Sequence, residues 1–212
     1  MEAARDRAGP DSHTCGVALD RASLRPATVC FVDVVGSTAL ANQLDLEDVH
    51  ELTDTLLERC TVEVERHGGR VLKYTGDGLL AVFGVGAAPE HGAEDGVRAG
   101  LAVLAAVAEA KVAGAIGPEV ELRVGIDTGR VLLGGGVEAE HAIRGPVVNL
   151  AARMEQTAPP GGLRISEHTQ RHVRGLFDVT DEPPIEVKGF TEPVHTHLVQ
   201  RARPPPRRAR PR

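Results

Sequence analysis

Aromatic side chains are nearly absent from this 212-residue chain, which has four Phe, one Tyr and no Trp. Its core must therefore come from Ala, Val, Leu and Ile, and the length suffices for one domain built that way. Cysteine is scarce as well. Cys15, Cys30 and Cys60 are odd in number and show no CxxC spacing. That argues against a disulfide framework or a cysteine zinc site and fits a reducing, cytoplasmic setting. Cys30 and Cys60 are expected to be small buried hydrophobes. No stretch qualifies as a membrane span. The most apolar one, from Ala99, carries Glu109 and Lys111 and predicts a buried helix. The opening residues lack the apolar segment of a signal peptide. GxxxxGK[ST], GxSxG and HExxH do not occur, and the glycines after Phe83 lack the third member of a dinucleotide fingerprint.

Basic charge is missing from most of the chain and concentrated at its end. The last twelve residues hold six arginines. Taking those six from the 24 basic residues leaves 18 against 30 acidic ones, a net of −12 for the body. An acidic body of this kind is not a nucleic-acid surface. The Arg/Pro-rich segment 201–212 is expected to be a linker, and residues 1–25, of mixed charge and little hydrophobic pattern, a disordered tail.

Between them, residues 26–200 alternate strand-like and helix-like stretches, as α/β or α+β domains do. Thr28–Val34 predicts a buried strand. Leu46–His67 predicts an amphipathic helix with Leu46, Val49, Leu56, Leu57, Cys60 and Val64 on one stripe. Arg70–Tyr74 and Leu79–Phe83 flank a Thr-Gly-Asp-Gly turn and predict a hairpin. Glu90–Val112 predicts an Ala-rich helix, and the segment around Asp127-Thr128-Gly129 a second strand pair joined by a turn. Pro146 suits the first turn of a helix that ends before Pro159-Pro160-Gly161. The alternation His195-x-His197 suits one face of an exposed strand.

Asp33 is the anomaly. It interrupts a buried strand just before Gly36-Ser37-Thr38, and a buried charge is costly without a partner. Asp77 sits between Gly76 and Gly78 at the hairpin tip. If their strands are neighbours, the two carboxylates lie together and repel, unless a divalent cation joins them. Gly36, Ser37 and Thr38 offer small residues and free backbone N–H groups for phosphate. Taken singly, either aspartate also fits ordinary turn chemistry. In the helix from Pro146, Val147, Leu150, Ala151 and Met154 form the apolar stripe, while Asn149 and Arg153, four apart, share the opposite face. Spacing alone makes that a solvated face.

The stretches FVDVVGSTAL, LKYTGDGLLAVFG, LRVGIDTGRV and GPVVNLAARME, followed by VKG, occur in an order and at spacings that resemble the class III nucleotidyl cyclase catalytic domain. The resemblance covers about residues 26–200 and is closest to bacterial cyclase domains of multidomain regulators. It implies a ferredoxin-like core, a central and mostly antiparallel sheet flanked by helices, working as a homodimer with active sites at the interface. It implies that Asp33 and Asp77, with Val34, hold two Mg²⁺ or Mn²⁺ ions, and that Lys73 recognises adenine. Arg123 and Lys188 map onto phosphate-binding positions, and Asn149 and Arg153 onto the transition-state pair. The substrate implied is ATP, converted to cyclic AMP and pyrophosphate. Ala142 departs from the pattern, because the family usually has there an Asp or Thr that accepts a hydrogen bond from the adenine amino group. The alternatives are a guanylate cyclase and a nucleotide-binding or dimerisation module without turnover.

Overall fold

The computed structural model describes residues 22–36, 45–86, 89–134 and 143–204. Ser37, Thr38 and Ala142 lie outside them. The described strands are β1 (Ser23–Val35), β2 (Arg70–Tyr74), β3 (Gly78–Phe83), β4 (Glu121–Leu133), β5 (Ile143–Arg144), β6 (Leu163–Ser166), β7 (Phe177–Ile185) and β8 (Val194–Ala202). They form one mixed sheet in the order β2-β3-β1-β4-β6-β8-β7, with β5 paired to β4. All its pairings are antiparallel except β4 with β6. The helices are α1 (Leu46–Arg66), α2 (Gly92–Val112), α3 (Pro146–Thr157) and α4 (Glu167–His172). The class is α/β, an open and mostly antiparallel sheet flanked by helices.

Strand alternation sorts β1 onto two cores. Cys30, Val32 and Val34 pack with Leu56, Cys60 and other residues under α1 and α2, whereas Ala27 and Val29 pack with Val147 and Ala151 of α3. Asp33 is in phase with Val29, so it lies on the α3 side. The scarcity of large rings is met by close approach. A Cβ on Gly125 of β4 would lie 1.9 Å from the backbone nitrogen of Glu155 and 2.5 Å from the carbonyl oxygen of Ala151. Only glycine lets α3 press this tightly on the sheet.

The fold departs from expectation at four places. β4 runs unbroken through Asp127-Thr128-Gly129, where a turn was expected. Its register with β1 continues across all three residues, and buried Asp127 accepts a 2.5 Å hydrogen bond from the Ser166 hydroxyl. The same serine caps α4 by accepting from the Thr169 N–H. β1 begins at Ser23, inside the segment expected to be a tail. β8 runs on into the Arg/Pro segment, where Arg201 and Arg203 both donate to Asp178. His197 is buried, its two ring nitrogens each 2.8 Å from a carboxylate oxygen, one of Asp181 and one of Glu167. These two contacts tie β7, β8 and α4 together around one ring. Cys30 and Cys60 are buried and free, and burial pushes both thiols up to about 12. Among the described residues, no helix is long and apolar enough to cross a membrane.

Candidate active site

Asp33 stands opposite Gly78 of β3 on one side and Arg123 of β4 on the other. Gly78 makes room for it, since a Cβ there would meet the Val32 carbonyl oxygen at 2.4 Å and Asp33 Oδ1 at 2.9 Å. The hairpin tip is held by a 2.9 Å bond from the Thr75 N–H to the Gly78 carbonyl, with Gly76 at φ 89°. The Val34 N–H donates to the Asp77 carbonyl at 3.2 Å, fastening the tip to the end of β1. Backbone geometry alone therefore brings the two aspartates together. Gly36, exposed at φ 73°, turns the chain out of β1 beside them.

A cleft of about 400 Å³ opens here, lined among others by Phe31, Asp33, Thr75, Arg123, Glu155 and Gln156. Burial pushes the Asp33 carboxyl up to about 6, helped by the charge of Asp77 and a hydrogen bond between the two side chains, and opposed by Arg123 and the Val34 backbone. Two carboxylates this close repel, so the pair is a site where a cation can relieve the repulsion. Among the described residues no three His, Cys, Asp or Glu side chains cluster as a ligand set. Two carboxylates nevertheless fit Mg²⁺ or Mn²⁺, which take their remaining oxygens from phosphate and water. Glu155 shares the cleft and was missed in the sequence. Burial first, then the charges of Asp33 and Asp77, push its carboxyl up to about 7, with Arg123 pulling it back.

Both raised carboxyls hold protons to higher pH in the folded than in the unfolded chain. Between about pH 4 and 7 the folded state binds more protons, and their contribution to stability falls as pH rises. Asp33→Asn should therefore gain thermal stability relative to wild type as pH rises from about 4 to above 6 in chelator. Melting curves across that range, taken as variant minus wild type, check this. Taking the difference cancels groups such as Asp178 and Glu167, whose carboxyls are held low by Arg201 and His197 respectively.

Asn149 and Lys188 lie elsewhere. They line a second cleft of about 520 Å³ with Arg144, Gly145 and Phe190, and none of its lining residues belongs to the first. Asn149 is exposed on α3, and Arg153 one turn on donates to Gln156 Oε1 at 3.2 Å. Helix α3 thus presents Glu155 and Gln156 to one cleft and Asn149 to the other. Lys73 is exposed on β2 and lines neither. A register irregularity between Val71 and Lys73 sets Lys73 against Leu80, on the sheet face that carries Phe31.

A family model described as the adenylate and guanylate cyclase catalytic domain matches residues 19–201. An adenylate cyclase of Mycobacterium bovis is 30% identical over 166 residues, which are 77% of this chain and 37% of that protein. The first three curated relatives are matched over 17% to 37% of their own length. Among solved structures, the adenylyl cyclase CyaB from P. aeruginosa superposes with a TM-score of 0.78 at 28% identity, covering 86% of this chain and 97% of that one. The guanylyl cyclase Cya2 superposes at 0.80 with 26% identity, covering 88% and 97%. With the sheet architecture and the family model in agreement, this chain belongs to the class III adenylate and guanylate cyclase catalytic domains.

Proposed function

We propose that the chain is an adenylate cyclase that makes 3′,5′-cyclic AMP and pyrophosphate from ATP as a homodimer. The observation that carries this reading is the Asp33–Asp77 pair with Arg123 in register beside it. Asp33 and Asp77, with Val34, would hold two divalent cations, which when bound supply Lewis-acid stabilisation of phosphate charge. The ribose 3′-hydroxyl gives its proton to solvent water and its oxygen bonds to the α-phosphorus, while the bond from that phosphorus to the oxygen bridging to the β-phosphate breaks and pyrophosphate leaves. Arg123 and Lys188 bind the polyphosphate, the first through forked hydrogen bonds and the second as a point charge. Gly36, Ser37 and Thr38 add backbone N–H groups. Arg153 stabilises charge gathering on the α-phosphoryl oxygens, and Asn149 orients the ribose. Lys73 donates to the adenine ring.

The separation of the two clefts within one chain supports a site completed by the partner protomer, in which Asn149, Arg153 and Lys188 of one chain meet the aspartates of the other. A second reading, guanylate cyclase, is favoured by Ala142, whose side chain cannot accept from the adenine amino group. Losing that bond lowers discrimination by about 1 kcal/mol. Incubation with ATP or GTP and Mn²⁺, followed by assay of cyclic nucleotide and pyrophosphate, decides between them. Cyclic AMP is expected, reduced by roughly a hundred- to a thousandfold in Asp77→Asn. No cyclic product from dimeric, nucleotide-binding protein would sink the enzyme reading in favour of a regulatory module.

A further inference from the structure

Given the cyclase reading above, the geometry points to Glu155 as a positioning residue for Arg123, a carboxylate on the helix wall that keeps the guanidinium from collapsing onto the Asp33–Asp77 pair. Glu155 is only 7% exposed and lies on the α3 stripe that otherwise buries Val147 and Ala151. An acid there is costly, and an apolar side chain would serve packing better. What it gains is a place in the cleft. The bare backbone at Gly125 seats Glu155 against β4, two residues from Arg123 on the same strand face.

Arg123 is the only cation among the described residues lining that cleft. Directly across the strand pair stands Asp33, and beyond it Asp77. Left to those two carboxylates, a long guanidinium folds over them and competes with any divalent cation for the same oxygens. A third carboxylate on the opposite wall divides the attraction. Charge attraction across the shared cleft draws Arg123 toward the helix wall as well as toward the strand. Among the described residues, the buried Nε of Arg123 has no hydrogen-bond partner. Phosphate oxygens of an incoming triphosphate are the acceptors that would complete it.

Glu155→Gln keeps the shape and removes the charge. The test is equilibrium binding of a non-cyclisable ATP analogue, methylene-bridged between the α and β phosphates, with Mn²⁺. Melting without ligand and steady-state kinetics accompany it. Expected are binding about tenfold weaker, a KM that rises more than kcat falls, and a melting temperature equal to or above that of the wild type. In an Arg123→Ala background, Glu155→Gln should weaken binding no further. Full weakening in that background would overturn the role through Arg123. So would a lower melting temperature with unchanged affinity, which marks a structural residue only. A wild type that binds no nucleotide would instead bring down the cyclase reading, and this role with it.

Discussion

Asp33→Asn and Arg153→Ala proteins should each lose cyclase activity by roughly a thousandfold, and an equimolar mixture should regain about a quarter of the wild-type rate. The fraction follows from symmetry. After exchange, half of the dimers pair one variant with the other. In each such dimer one site carries both substitutions and the second carries none. One intact site in half of the dimers is a quarter of the wild-type complement. The geometry behind this is the division of labour on α3. Asn149 opens to the cleft that holds Lys188, and Asp33 and Arg123 line another with no shared residue. An intramolecular site would need Asn149 and Lys188 to reach across the helix that separates them. Mixing the two proteins while following exchange by native mass spectrometry checks the point. Exchange without recovery would rule out shared sites, and activity in either variant alone would show that one protomer is sufficient.

The juxtaposition of Asp33 and Asp77 was legible because its signals are local. A carboxylate in a strand and an Asp between glycines are visible one at a time, and a hairpin next to that strand places them side by side. Asn149 and Arg153 are different. Their spacing shows a common face, but not whether that face meets water or a partner, and only the family resemblance assigned them roles. Asp127-Thr128-Gly129 misled because the triplet has turn chemistry. The Ser166 hydroxyl that allows Asp127 inside a strand comes 39 positions later. His197 failed for the same reason, since its carboxylate partners stand on β7 and at the start of α4. The Arg/Pro segment looked like a linker by composition, yet Asp178 captures its first two arginines. Periodicity reports which face a residue occupies. It carries no information about what a distant element brings to that face.

Glu155 was nonetheless within reach of the pattern, as an acid four residues after Ala151 on the buried stripe of α3. The reason it can sit there is Gly125, and Gly125→Ala should be among the most damaging single substitutions in the chain. Its new methyl would lie 1.9 Å from the Glu155 nitrogen and 2.5 Å from both the Glu155 Cα and the Ala151 carbonyl oxygen. All three are backbone atoms, so no rotamer change relieves the overlap and α3 itself must move. Lifting the helix disturbs the packing of Val147, Leu150, Ala151 and Met154 at a cost of about 3 kcal/mol. That corresponds to a fall in melting temperature of about 6–12 °C for a domain of this size. Activity should fall further than stability does. The same helix sets Glu155 and Gln156 in one cleft and Asn149 in the other, and a displacement of about 1 Å costs on the order of a hundredfold in rate. Gly129→Ala is the matched control. Its methyl would meet only the Cγ2 of Val147, at 2.8 Å, a single side-chain atom rather than backbone, so a small local shift suffices. Thermal melts and cyclase assays of the two variants should separate widely, with Gly129→Ala near wild type. Equal and mild effects would mean that α3 yields to the added methyl, and that neither cleft depends on its close seat against β4.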